Sequence, residues 1–481
     1  RDVTAASLDI SAEADHGYTA DATATAKGGK EDTTTTQSGG KATSADALDK
    51  TKGSQQGASG GGKVTVAAAV GVAAAQDVVS ARLDAVTVHV TGDLKVDASN
   101  NTGMAASGSG LAVNSSSKVG VGIGVGLGII NNTTSATIAD NARITQSGSV
   151  EVKTTTAENT DPDFADKLTA LAIAGASASK VSVAGALAVG ISTSSSTAAI
   201  GDNVTVSSSG AVNVLADNTS KLSAKALAGS YSGGNVGIGA SVATVYADHS
   251  LTAAIGAGDT IGGASVSVKA LDHKFTGTGF SLDFTHPDTL VDQAKDAAQH
   301  GSLLGQGNYY AEAMGGAAAG SGGAVQGSFA VMVFSDDVSA SSGKSLATPP
   351  VTTATTVNSS GAVAIEAGND LVARALSGGI ALGSSVGVGV SSSAIDSTGT
   401  TTALLAQNAE VQSSASFSDA AHATQDILAI GVSAAAADSN AVAGVATVIT
   451  SANSVQALLA LNSSVTSAGS VTLGARNDFD T

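Results

Sequence analysis

Apolar and small positions alternate along this chain. From Val119 to Ile129 it reads V-G-V-G-I-G-V-G-L-G-I, a period of two, and its five glycines would cost a helix roughly 1 kcal/mol each. Val181, Val183, Leu187, Val189 and Ile191 keep the same period, as do Val64, Val66, Val70 and Val72. β-Branched residues dominate the apolar places, and Asn, Asp, Gly and Ser punctuate the ends. These are strand signals. Such strands begin near Val64, Val119, Val181, Val236, Ala324, Val386 and Ala441. Their spacings of 55, 62, 55, 88, 62 and 55 are explained by one 55-residue unit carrying insertions.

Two further blocks recur in step. One reads ATIADNARI at 136–144, AAIGDNVTV at 198–206, AAIGAGDTI at 253–261, ALLAQNAEV at 403–411 and ALLALNSSV at 457–465. Its Ala-Asp-Asn triplet at 139–141 and Gly-Asp-Asn triplet at 201–203 predict turns, where Asn and Asp accept left-handed backbone angles. The other reads TGDLKVDASN at 91–100, SGSVEVKTTT at 147–156, SGAVNVLADN at 209–218, GASVSVKALD at 263–272, SGAVAIEAGN at 360–369 and AGSVTLGARN at 468–477. There the two alternating apolar positions predict a strand, and the terminal Asn or Asp a turn. Without Asn-Gly hairpin turns a meander is disfavoured.

The fold expected is therefore all-β, a parallel β-helix of imperfect 55-residue repeats. At some twenty to thirty residues per coil, each repeat makes about two coils, with three shorter coils the alternative; two per repeat would make eight repeats a rod on the order of 75 Å long. The expected organisation is a partial first repeat over 1–63, with a Gly-, Ser-, Thr- and Lys-rich insertion at 27–63. Solenoid repeats follow over 64–272, then an insertion at 273–313, then repeats over 314–481.

The insertion at 273–313 concentrates large side chains: Phe275, Phe280, Phe284, Tyr309 and Tyr310. Its segment HPDTLVDQAKDAAQHG predicts one short helix, capped by Asp288 or Thr289 and stopped by Gly301. Leu290, Val291 and the phenylalanines are expected to pack over a lateral face of the rod, with Tyr309 and Tyr310 marking the return to the coil. This is the expected place for recognition of a glycan or protein surface, or for a simple side cap. The glycines suggest a second surface. Gly120, Gly122, Gly124, Gly126 and Gly128, with Gly237, Gly239, Gly387 and Gly389 in later units, are expected to face outward opposite buried valines. They would form a smooth stripe against which another solenoid or a loop packs.

Composition narrows the chemistry. With 59 Gly, 3% aromatic residues, no Trp and 13% charged residues, the core must be thin, yet 42% hydrophobic residues argue against disorder. A net charge of −18 disfavours nucleic acid, which binds basic faces. No cysteine is present, and Val119–Ile130 is too short an apolar run to span a bilayer. The initial Arg and the lack of a signal peptide suggest a processed fragment. Asp283, His286, Asp288 and Asp292 lack a metal-ligand spacing and read as a dipole-stabilising helix cap. No phosphate loop, calcium nonapeptide or catalytic motif occurs, so no catalytic residue, cofactor or metal is assigned.

The strands V-G-V-G-x-x-V, followed by T-A-x-I-G-D-N-V-x-V and S-G-x-V-x-V-x-A-x-N, are clearest at 181–218 and 236–272. In these the chain resembles the giant repetitive surface adhesins of Gram-negative bacteria, filamentous-haemagglutinin-like and leukotoxin-type. The resemblance implies an exported β-solenoid rod outside the cell, working in attachment, cell–cell contact or matrix and biofilm formation. Its partners would be other copies of itself or neighbouring repeats of a longer chain. A β-helical carbohydrate-active enzyme or binding module is the alternative.

Overall fold

The computed structural model describes residues 2–27, 64–160, 167–275, 307–343 and 353–480. Among them every regular element is a strand, and every strand pairing is parallel. Three sheets run the length of the stack. A broad sheet has seven strands, Val64–Leu83, Val119–Ile138, Val181–Ile200, Val236–Ile255, Gly323–Ser342, Val386–Leu405 and Asn440–Leu459. A narrow sheet has eight strands of four or five residues, such as Arg143–Ser147. An interrupted sheet of eleven strands faces the broad one. In some coils its strand is continuous, as in Leu94–Val113, and in others it is divided, as in Val150–Glu158 and Ala170–Ala178.

Each repeat is one coil. Val119 pairs with Val64 behind it and with Val181 ahead, and Val181 pairs with Val236, so consecutive repeats are consecutive rungs. The expectation of two coils per repeat is thus corrected. A coil uses about 55 residues because its long strands have 20 residues each, far beyond the usual strand of about 5–6. Eight coils at about 4.8 Å make a stack of roughly 34 Å, not 75 Å, while each long strand spans roughly 66 Å.

The coil is a wedge. At the thick end the narrow sheet props the two large sheets apart, and Val, Ile and Leu fill a triangular core, including Val88, Leu94, Ile138, Ile144, Val150 and Val152. Turns into the narrow sheet carry Asn141, Asn203, Asn408 and Asn462 at φ between 59° and 64°, the first two as the Asp-Asn triplets predicted. At the thin end the two large sheets meet through small residues, through glycine and alanine alone where Gly120–Gly128 face Ala170–Ala178, and with buried serines such as Ser182 and Ser241 in later coils. Sheets in ordinary sandwiches lie about 10 Å apart. Here a Cβ built on Gly124 or Gly126 would sit 2.2 or 2.3 Å from a carbonyl oxygen of the opposite strand, so the sheets approach far closer.

The stretches 28–63 and 276–306 lie outside the described residues, and with them the Gly/Ser/Thr/Lys-rich insertion and the expected helix. The chain re-enters the interrupted sheet at Tyr309, where the strand Tyr309–Ala319 begins.

Candidate functional site

The glycine stripe exists, but it faces the other way. Gly120 is in register, through Ser182, with Gly237, and that column continues through Ala324 to Gly387. Gly122, Gly239 and Gly389 share the next inward column, while Gly124, Gly126 and Gly128 lie farther along the same strand. All of these glycines point into the wedge. A Cβ at Gly122, Gly237, Gly239, Gly387 or Gly389 would lie 2.1–2.7 Å from a backbone oxygen of the facing strand. The expectation of an outward stripe fails because the thin end has no room for branched side chains. The signal was present in the parity: Gly120 to Gly128 share theirs with the core residue Ile138 on one unbroken strand.

It is therefore the valines that face out. Over the thin half of the broad sheet the outward columns hold Val66, Val121, Val183, Ile238, Val325, Val388 and Val442 in one row of neighbours. Val70, Val125, Leu187, Val242 and Phe329 stand in another. Exposure reaches 58% at Val70, 39% at Leu187 and 42% at Phe329. Along the same strands the outward residues then turn polar, as at Asn131 and Thr133 or Thr193 and Ser195. Seven strands by some eleven residues give an apolar plateau of about 1,000 Å². Monomers seldom expose a patch beyond about 300–600 Å².

The aromatic residues divide. Phe275 is half-buried, with Lys221 Nζ 5.6 Å from its ring centre, while Phe280 and Phe284 lie outside the described residues. Tyr309 and Tyr310 are 1% and 0% exposed, so neither offers a recognition surface. Tyr309 turns inward and stacks on Phe334, ring centres 4.8 Å apart. Tyr310 turns outward, is buried, and donates its hydroxyl to Glu312.

Between thick and thin ends runs a buried polar layer that sequence reasoning missed. The motif residues Asn100, Thr156, Asn218, Asp272 and Asn369 are not in turns. They pair in register within strands and point inward. Facing them on the broad sheet stand Asp77, Asn132, Ser194, His249 and Asp336, one per coil. These groups are tolerated inside because they bond one another up the stack. Thr102 Oγ1 donates to Asp77 Oδ2 at 2.8 Å, and Asn132 Nδ2 donates to Glu158 Oε1 at 3.0 Å.

The layer culminates around His249. Ser192 donates its hydroxyl to Glu158 Oε2 at 2.8 Å and lies 3.0 Å from His249 Nε2. With its hydroxyl donating to the carboxylate, Ser192 accepts from Nε2–H, which leaves His249 Nδ1 as the acceptor nitrogen of the ring. Around Nδ1 lie Tyr309 Oη at 3.0 Å, Ser220 Oγ at 3.3 Å and Asp336 Oδ1 at 3.4 Å. Tyr309 donates to Asp336 Oδ1 at 2.8 Å, and Asn218 Nδ2 donates to Asp272 Oδ1 at 2.8 Å. Burial pushes the Asp272 carboxyl well above its usual range, and the neighbouring Asp336 adds to the shift. Burial raises Asp336 as well, opposed by His249. His249, Asp272 and Asp336 each bring one possible ligand atom within 4.8 Å of the others. The acidic group Asp283, His286, Asp288 and Asp292 lies outside the described residues.

No protein-family model, curated protein or solved structure matches this chain. Among the described residues no helix is long and apolar enough to cross a membrane.

Proposed function

We propose that this chain is a structural and adhesive segment of an extracellular bacterial fibre, and that copies associate side by side through the outer face of the broad sheet. The observation that carries this reading is the apolar plateau. A stable protein interface takes about 800 Å² from each partner, and the plateau supplies that area in one flat piece. Its polar border along the same strands limits contact to the thin half of the wedge. One coil per repeat also suits a fibre, because each coil depends only on its neighbours and repeats add without redesign. The resemblance to filamentous adhesins agrees with this reading.

A polysaccharide-cleaving alternative needs carboxylates lining an open cleft. The carboxylates gathered around His249 instead lie inside the wedge, with Glu158 at 0% and Asp336 at 2% exposure. The test is sedimentation of the full chain over a concentration series, beside Leu187→Lys combined with Phe329→Lys. The wild type should associate and the variant stay monomeric with an unchanged melting temperature. A wild type that stays monomeric, or a variant that associates equally well, overturns the reading.

A further inference from the structure

We propose that His249, Asp272 and Asp336 form an interior binding site for a divalent first-row transition cation of the zinc or manganese class. The site spans two coils. His249 and Asp336 are register partners on the broad sheet, and Asp272 faces them from the interrupted sheet.

Three independent features point to a cation. The first is geometry. His249 Nδ1 and Asp336 Oδ1 stand 3.4 Å apart, the separation of two adjacent ligands on one ion bound at about 2.1 Å. Asp272 adds a third ligand atom within the same 4.8 Å span. The second is support for the imidazole. The relay from Nε2 through Ser192 to Glu158 fixes the ring and its tautomer, as the partners of metal-bound histidines do. The third is an orphan. Asp336 is 2% exposed, yet among the described residues its Oδ2 has no hydrogen-bond partner. A buried carboxylate oxygen left unpaired is costly, and a cation held by both oxygens of Asp336 supplies the partner that no described side chain does.

Charge agrees. Asp272, Asp336 and Glu158 converge on His249, the one basic side chain bonded to the cluster among the described residues. A mixed set of one imidazole and carboxylates suits zinc or manganese, whereas calcium prefers six to eight oxygens. Because the ligands sit on different coils inside the wedge, the ion would enter as the coils close and would hold the stack together there.

The experiment refolds the full chain from guanidinium after chelation, with zinc chloride, manganese chloride or neither. Metal is measured by elemental analysis after gel filtration, and the melting temperature beside it. About one ion retained per chain, with a raised melting temperature, is expected. Asp336→Asn and His249→Gln should keep the wild-type circular dichroism and retain at least tenfold less metal. A readout that needs no variant is refolding of the wild type with cobalt(II), which should give visible absorption bands from an imidazole–carboxylate site. Absence of retained metal and of cobalt bands overturns the proposal, and so does undiminished retention in both variants.

Discussion

Gly122 faces the carbonyl oxygen of Gly175 across the thin end of the wedge so closely that a methyl group there would lie 2.1 Å from it. Neither partner in this contact is a side chain that could swing away. The closeness of the two sheets is therefore a property of the backbones, and any side chain must push them apart.

Gly122→Ala should accordingly destabilise the chain by about 1–3 kcal/mol, the usual cost of overpacking. Gly185 stands on the outward face of the next strand, where an added Cβ meets nothing within 4 Å among the described residues. Gly185→Ala should be neutral or slightly stabilising, since it lowers only the freedom of the unfolded chain. Denaturant unfolding of the two variants side by side checks the contrast, and equal losses would refute the inward stripe.

A buried ion pair lies on the outward side of the interrupted sheet. Lys225 and Glu312 are register partners on neighbouring coils, with Nζ and Oε1 3.4 Å apart and both at 1% exposure. Desolvation lowers the Lys225 pKa, and Glu312 opposes that shift. Removing one member leaves the other charged and buried, so Glu312→Leu alone should cost on the order of 3–5 kcal/mol. Lys225→Met combined with Glu312→Leu should regain most of that loss. A double-mutant cycle by chemical unfolding measures the coupling, and additive losses would contradict it.

Asp259 predicts a pH dependence. Burial raises its carboxyl to about 8, while Val204 N–H, donating to Oδ1 at 2.8 Å, holds it down in part. Between the ordinary value near 4 and about 8, the folded chain keeps a proton that the unfolded chain has released. Its contribution is therefore full at low pH and is lost as pH rises through that window. At about 1.4 kcal/mol per unit the shift is on the order of several kcal/mol. Asp259→Asn should melt higher than wild type at pH 8.5 and close to it at pH 5. A constant difference at both values would show that Asp259 does not titrate there.

Much of this fold could be read in the sequence. The recurring starts at Val64, Val119, Val181, Val236 and Val386 coincide with the strands of the broad sheet, and the Asp-Asn motif marks left-handed turns at Asn141 and Asn203. The coil count could not be read, because polar runs such as Ser192–Ser196 imitate a turn while continuing the strand. The hydroxyls of Ser192 and Ser196 face a polar partner layer, so burial there carries no apolar signature. The orientation of the glycines was carried only by their shared parity with Ile138, while the closeness of the facing sheet that demands glycine there is not visible in one strand. The cluster at His249 joins residues from coils far apart in sequence. His249 and Asp336 stand 87 residues apart, yet they meet because their strands are neighbouring rungs in register despite the insertion in the chain that joins them.

The single-coil repeat is tested most directly by distance. Ser80 and Thr402 both face outward in one column of the broad sheet, five rungs apart through Ser135, Thr197, Thr252 and Ser339. The chain has no cysteine, so Ser80→Cys and Thr402→Cys give two clean sites for spin labels. Pulsed electron paramagnetic resonance should find their backbones about 24 Å apart, five spacings of about 4.8 Å. A distance near 48 Å, as two coils per repeat require, would contradict the wedge.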